Sequence, residues 1–106
     1  MPSPLVQKLW ALARQIPPGR VTTYGLLAVA AGAHPRMAQM VSHLLSRAPD
    51  ADKLPWHRIV YSNGHVWLDD NCKNQRLKLY RKENIKLDKN LRIIDFDKLV
   101  YPFPIR

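Results

Sequence analysis

The stretch Thr23-Tyr24-Gly25-Leu26-Leu27-Ala28-Val29-Ala30-Ala31-Gly32-Ala33-His34-Pro35-Arg36-Met37-Ala38-Gln39-Met40-Val41-Ser42-His43-Leu44-Leu45 decides the fold. Thr23 can accept a backbone N–H and cap a helix beginning at Tyr24. Leu26, Leu27, Ala28, Val29, Ala30 and Ala31 make that helix short and small-sided, and Gly32 can take the left-handed conformation that stops it. His34-Pro35 restarts a helix, with the proline near its first position, where the missing N–H is no loss. Met37, Met40, Val41, Leu44 and Leu45 give this helix one apolar face, while Arg36, Gln39, Ser42, His43 and Arg47 fall largely on the others. A short helix, a tight glycine turn and an amphipathic helix form the helix-turn-helix pattern. The pattern alone also occurs in all-helical proteins that never meet DNA. If it does meet DNA, the exposed face of the second helix is the one laid down, and small Ala38 and Ser42 let its backbone come close.

The charge sharpens this reading. Seventeen Lys and Arg against eight Asp and Glu give +9 at pH 7, with a pI near 10.1. A small, strongly basic chain points to a polyanion, DNA or RNA first. The competing reading is that the cations only keep the surface soluble. At 106 residues, 46% of them hydrophobic, the chain is expected to form one domain over residues 1–106. The single cysteine, Cys72, excludes an intrachain disulfide and fits a reducing compartment. Met1 to Leu9 does not read as a signal peptide, and no apolar run reaches the length of a membrane span. The expected location is cytoplasmic, nucleoid-associated if bacterial and nuclear if eukaryotic, with no membrane partner. His34, His43, His57 and His65 form no ligand-like set around Cys72, so neither metal nor cofactor is expected. No dimerisation stretch is visible, and a monomer is expected.

Outward from the helix pair, Ser3 can cap a first helix with Pro4 in its first turn. Leu5, Val6, Leu9, Trp10, Leu12, Ala13 and Ile16 recur there at helical spacing, with Trp10 in the core, and Pro17-Pro18-Gly19 ends the run. Arg20-Val21-Thr22 is a short extended link. Downstream, Arg47 to Leu54 is a polar connection leading into Pro55-Trp56-His57-Arg58-Ile59-Val60. Pro55 restricts the backbone before Trp56, whose ring offers a flat stacking face, and Arg58 offers fixed donors. These residues can wall a pocket for something flat; equally, Trp56 can be a core aromatic at a strand start.

Ile59-Val60-Tyr61, the Ser62-Asn63-Gly64 turn and His65-Val66-Trp67-Leu68 predict a hairpin. Asp69-Asp70-Asn71 offers caps for a basic helix from about Cys72 to Glu83, and short strands are expected near Leu91–Asp95 and Leu99–Pro102. Together these readings predict a mainly α fold with a small β-hairpin, a winged helix-turn-helix-like DNA-binding domain.

Three segments taken together carry a family resemblance: Ile16-Pro17-Pro18-Gly19-Arg20-Val21-Thr22-Thr23-Tyr24-Gly25, the Leu27-Ala28 to Gly32 helix, and Pro55-Trp56-His57-Arg58-Ile59-Val60. They resemble the DNA-binding domain of the O6-alkylguanine-DNA alkyltransferases over residues 5–84, leaving 85–106 as a C-terminal extension. In the repair enzymes of that family a cysteine stands where this chain has Trp56 and takes the alkyl group. An indole cannot do thiolate chemistry, and Cys72 is far along the chain. The sequence therefore resembles the alkyltransferase-like proteins, which bind alkylated DNA without repairing it and pass the lesion to nucleotide excision repair.

The resemblance implies minor-groove binding by the second helix and rotation of the target nucleotide into a pocket. It implies that Thr23, Tyr24, Arg36, Gln39, Met40 and Ser42 meet DNA, with Tyr24 crowding the target phosphate. Tyr24, Pro55, Trp56, Arg58 and Asp69 would line the lesion pocket. His57 and Glu83 match a proton relay that here has no thiol to activate, so both are read as structural, and Arg58 as a strut. The implied partners are double-stranded DNA containing O6-alkylguanine and excision-repair proteins.

The chain also departs from the family pattern. The intercalating arginine falls at Gln39, with Arg36 one turn earlier. Ser42 stands for a glycine, and Ala48 for an asparagine. Asp69 falls where relatives can carry an arginine, and Asn84 stands for the glycine after the glutamate, tolerable in a left-handed turn. The alternative is a plain winged-helix DNA-binding protein without lesion preference.

Overall fold

Ser3 opens the first helix: its hydroxyl accepts the Val6 N–H at 3.3 Å, and α1 runs Pro4–Gln15. The computed structural model describes residues 3–66, 68 and 73–103. Thr23 plays the same part for α2, Tyr24–Ala30, accepting the Leu26 N–H at 3.0 Å. Gly32 follows with φ +90°, the left-handed stop that a residue with a Cβ rarely adopts. His34 Nδ1 then accepts the Arg36 N–H at 3.1 Å and caps a 3-10 turn at Pro35–Met37, which runs into α3, Ala38–Ser46. The helix-turn-helix is thus assembled by local devices: the Thr23 cap, the Gly32 stop and the restart at Pro35 are legible in the sequence, and the His34 cap adds to them.

One core holds α1, α2 and α3 together. Leu9, Ala13 and Ile16 pack with Leu27, Ala28 and Ala31 and with Val41 and Leu45, joined by Leu54, Ile59 and Phe103. Trp10 is partly buried against this core, and its indole N–H donates to the Leu44 carbonyl at 2.9 Å. A second apolar cluster, Val21, Val60, Val66, Tyr80, Ile85 and Ile93, lies under α4, Lys73–Lys82. The short α5, Phe96–Leu99, completes the helices described.

The fold is mainly helical with a small sheet, as expected, but the strand pairing is not the predicted hairpin. Ile59–Val60 (β2) pairs in parallel with Thr22–Thr23 (β1), in the register Thr22 with Ile59 and Thr23 with Val60. The reversal at Ser62-Asn63-Gly64 does form, with Tyr61 N–H on the His65 carbonyl at 3.0 Å. Beyond it the chain bonds elsewhere: Val66 N–H to the Leu91 carbonyl, and Ile93 N–H to the Gly64 carbonyl. All four residues of β1 and β2 are buried, so burial on both faces favours a parallel partner from inside the molecule over a local hairpin. Trp67 lies outside the described residues, as do the expected caps Asp69, Asp70 and Asn71.

The strands expected near Leu91–Asp95 and Leu99–Pro102 reduce to isolated bridges. His65 pairs with Arg92, Leu87 with Ile93, and Val21 with Val100. α5 occupies the segment between and takes in Leu99, the first residue of the second expected strand. Residues 85–103 nevertheless return to the body of the protein, since Tyr101 N–H reaches the Val21 carbonyl at 2.7 Å.

Candidate nucleic-acid interface

Pro55 leads into a 3-10 turn at Trp56–Arg58, which runs straight into β2. The three residues of this turn face two regions. Trp56 is half-buried: its ring packs on the first core, and its indole N–H donates to the Ala51 carbonyl at 2.7 Å. The other side of the ring lines a cleft of about 400 Å³, shared with Tyr24, Ala38, Gln39, Ser42, Tyr61 and Arg76. Both readings of Trp56, core aromatic and pocket wall, hold at once.

His57 and Arg58 turn the opposite way, onto Glu83. His57 Nε2 lies 2.6 Å from Glu83 Oε2. Arg58 donates through Nε to Oε1 at 3.0 Å and through its terminal nitrogen to Oε2 at 2.7 Å. The other terminal nitrogen of Arg58 donates to the Ile16 carbonyl at 3.0 Å, and the Gly19 N–H donates to Glu83 Oε1 at 3.0 Å. Gly19 sits at φ +85° and Asn84 at φ +63°, so the left-handed turn expected at Asn84 is present. Tyr80 adds a bond from its hydroxyl to the His57 carbonyl at 2.6 Å. This clamp ties the end of α1, the end of α4 and the Trp56–Arg58 turn to one carboxylate.

Burial alone would raise the Glu83 carboxyl, but hydrogen bonds from Arg58, the Gly19 N–H and His57 overcome it and bring the pKa down to about 2. Glu83 is therefore ionised and can only accept. Burial pushes the His57 imidazole below its ordinary value, despite its bond to Glu83. A neutral His57 facing an acceptor carries its proton on Nε2 and donates it. His57 and Arg58 are thus both bonded to Glu83 and hold the turn against it.

The structure brings four of the sequence-predicted residues, Tyr24, Gln39, Ser42 and Trp56, into one cleft. Gln39, Met40 and Ser42 are exposed on α3, and Arg36 is exposed in the preceding turn. Arg36 and Met40 are not among the residues lining the cleft; Met40 lies on α3 and Arg36 in the 3-10 turn before it. Thr23 is only 5% exposed, with its hydroxyl engaged as the α2 cap, so its side chain positions Tyr24 instead of facing outward. Pro55 sets the turn without lining the cleft, and Arg58 belongs to the clamp. Asp69 and Cys72 lie outside the described residues. Burial, with a smaller contribution from Tyr61, raises the Tyr24 hydroxyl pKa, and Arg76 pulls against it.

Sequence reading missed two members of the cleft, Tyr61 and Arg76. In the sequence Tyr61 reads as a strand residue, and Arg76 falls within the basic helix expected from about Cys72 to Glu83. A signal for Tyr61 existed in the parallel sheet: Tyr24 follows β1 directly as Tyr61 follows β2. No local pattern announced Arg76. Among the described residues no group of His, Cys, Asp and Glu could hold a metal ion, and no helix is long and apolar enough to cross a membrane.

Comparison with known proteins gives this geometry a family. Residues 4–85 match the model of the 6-O-methylguanine DNA methyltransferase DNA-binding domain. A relative in Escherichia coli K12, named a DNA base-flipping protein, is 45% identical over 62 residues, which cover 58% of this chain and 47% of the relative. The chain thus spans about half the length of that relative. A Vibrio parahaemolyticus protein of the same name is 36% identical over 83 residues, 78% of this chain and 81% of that one. Among solved structures, Schizosaccharomyces pombe Atl1 in complex with damaged DNA containing O6-carboxymethylguanine shares the fold. Its TM-score is 0.72 at 21% identity, covering 92% of this chain and 94% of Atl1. The Mycobacterium tuberculosis O6-methylguanine methyltransferase follows with a TM-score of 0.59, at 23% identity, covering 78% of this chain and 50% of that protein. The match over residues 4–85 and the Vibrio relative together establish that the chain belongs to the 6-O-methylguanine DNA methyltransferase family, through its DNA-binding domain.

Proposed function

We propose that this protein binds DNA carrying an O6-alkylguanine, takes the modified nucleotide out of the stack into the Tyr24–Trp56 cleft, and leaves the lesion chemically intact. The observation that carries this reading is the cleft itself, where Tyr24, Gln39 and Ser42 of the helix-turn-helix meet the indole of Trp56; the resemblance sets that indole where the family's repair enzymes carry their acceptor cysteine. The relatives named base-flipping proteins, and Atl1 with its damaged DNA, support it.

The resemblance supplies the steps, and the residues are assigned to them. Lys and Arg supply attraction to phosphate that is independent of sequence and falls steeply with salt. α3 enters the minor groove with Ala38 and Ser42 allowing a close backbone approach. Tyr24 crowds the target phosphate and favours rotation of its nucleotide. Rotation costs a few kcal/mol, least at a damaged or mispaired base, so the penalty itself selects the lesion. Gln39 fills the gap in the stack. The base then lies against Trp56, whose N–H is already held by Ala51, leaving the ring's apolar surface for contact. The indole of Trp56 cannot act as a thiolate toward the alkyl carbon, and His57 and Glu83 hold the loop without relaying a proton.

A protein that grips a lesion without removing it is useful when another activity removes it. The resemblance points to nucleotide excision repair as the recipient, with this protein acting as a monomer.

The decisive experiment is fluorescence anisotropy at fixed salt with matched duplexes, one carrying a single O6-methylguanine, followed by intact-mass analysis of the protein. Tighter binding to the lesion duplex with unchanged protein mass is the expected result. Equal affinity for both duplexes would leave a plain DNA-binding domain, and one added methyl group on the protein would make it an enzyme.

A further inference from the structure

We infer that Tyr61 is a specificity-determining residue of the cleft, forming with Trp56 and Tyr24 an aromatic enclosure that favours flat, aromatic O6 substituents over a methyl group. The inference rests on the lesion-binding reading above and deepens it.

The sheet register delivers Tyr61 to this place. β1 and β2 run in parallel, with Thr22 beside Ile59 and Thr23 beside Val60. Both strands are buried, and each is followed at once by a tyrosine. One more step in the same register sets Tyr24 beside Tyr61, and their ring centroids are 6.1 Å apart at 46°. The turn that follows fixes the backbone of Tyr61: its N–H donates to the His65 carbonyl at 3.0 Å, and its carbonyl accepts the Gly64 N–H at 2.8 Å. His65 supports the ring with centroids 6.3 Å apart at 34°. Tyr61 is thus held in place yet remains 45% exposed, one of the few large apolar side chains left so open.

An exposed ring on a fixed backbone, lining a cleft with two other aromatic side chains, is a stacking surface of the kind used to hold unstacked bases. A rotated purine has two ends to satisfy. The base needs edge contacts from polar groups, which Gln39 and Ser42 can give. A methyl or benzyl substituent on O6 is apolar and meets whatever surrounds it. Trp56 presents an N–H already engaged with Ala51, so toward the cleft it is an apolar wall. With Tyr61 as a second wall, a benzyl group finds aromatic surface where a methyl group leaves most of it wet. Aromatic pairs in offset or tilted arrangements gain beyond simple burial. The Tyr24–Tyr61 tilt shows that this part of the cleft already packs rings in that way.

The test compares anisotropy of duplexes carrying O6-benzylguanine, O6-methylguanine or guanine at one site, for the native protein, Tyr61→Ala and Tyr61→Phe. The native protein should hold the benzyl duplex more tightly than the methyl duplex. Tyr61→Ala should lower benzyl affinity about tenfold while moving methyl affinity by less than about threefold, and Tyr61→Phe should keep the native ratio. A benzyl-to-methyl ratio unchanged in Tyr61→Ala overturns the inference and leaves lesion binding standing. A native protein that fails to separate either lesion from guanine overturns the functional reading, and this inference with it. If Tyr61→Ala melts early, Tyr61→Leu replaces it, keeping an apolar side chain without the ring, and the same ratio decides.

Discussion

The clamp around Glu83 and the cleft around Trp56 meet in one three-residue turn, and they are built on opposite terms. In the clamp every strong donor has a partner and little water enters: the side chains of Glu83, His57 and Arg58 are 6%, 8% and 17% exposed. In the cleft the side chains are half open, and Tyr61 remains 45% exposed. A saturated site has nothing left to offer a ligand, whereas an open one stores unsatisfied surface for it. The clamp works as a fastener for three chain segments. The cleft presents the indole of Trp56 among open side chains. Substitutions should therefore separate cleanly: clamp changes should act on stability, and cleft changes on affinity.

The largest effect is expected from Glu83→Ala. It removes the acceptor of Arg58, His57 and the Gly19 N–H together and leaves the Arg58 guanidinium buried without its carboxylate. Breaking a buried pair from one side costs about 3–5 kcal/mol, which is more than about 10 °C in Tm for a chain of this size. Thermal unfolding followed by circular dichroism reads it. A shift of only a degree or two would show that the clamp is decorative and would erase the contrast with the cleft.

Acid should loosen the same region. Burial opposes ionisation of Glu83, but its hydrogen bonds win and hold the folded pKa at about 2, against 4.5 for the free group. A depressed folded pKa stabilises the native state fully above the unfolded value, and that stability is lost as pH falls from about 4.5 towards 2. The shift corresponds to about 3 kcal/mol. His57 acts in the same direction and earlier: burial lowers its folded pKa, so stability begins to decline once pH passes below about 6.5. Urea unfolding at pH 7, 5, 4 and 3 should show this decline, and Glu83→Gln should flatten the part below pH 5. An equally steep acid limb in that variant would place the sensitivity elsewhere.

In the cleft, Tyr24→Ala should lower lesion affinity about tenfold and leave the cap at Thr23 and the packing of Leu27 and Ala28 in place. Titration of the lesion duplex, with a melting curve for the variant, separates the two. Unchanged lesion affinity would argue against nucleotide rotation by Tyr24.

The same division explains what could be read in the sequence. The helix-turn-helix was legible because its determinants are local: Thr23 as a cap, Gly32 at a positive φ, and Pro35 at a helix restart. Asn84 was legible for the same reason. The clamp was legible only through family likeness, because His57 and Glu83 are 26 residues apart in the chain and no periodicity links them. The strand pairing was misread because Asn63-Gly64 is a strong local hairpin signal. The turn formed, but the buried strand before it found a better partner in Thr22–Thr23, across the core. Arg76 was invisible for a similar reason. On a helix rich in Lys and Arg, only packing selects which cation faces the cleft.

The smallest effect is the most informative about mechanism. Gln39 is exposed in the first turn of α3 and lines the cleft with Trp56, and on the proposed mode of binding it is the side chain that enters the gap left by a rotated nucleotide. Gln→Arg there adds a charge and a planar guanidinium that stacks on bases. The charge alone would strengthen binding to every duplex and steepen the salt dependence by about one unit of slope. Filling the gap would strengthen binding only where a nucleotide has left the stack. The expected outcome for Gln39→Arg is therefore a rise of about threefold in the ratio of lesion to undamaged affinity, over and above any common gain. If both duplexes gain equally, Gln39 faces phosphate and the gap is filled from elsewhere on the element, with Arg36, one turn earlier, the next residue to change. If neither gains, α3 does not lie along the DNA as the cleft requires, and the contrast between a fastening clamp and a binding cleft loses its second half.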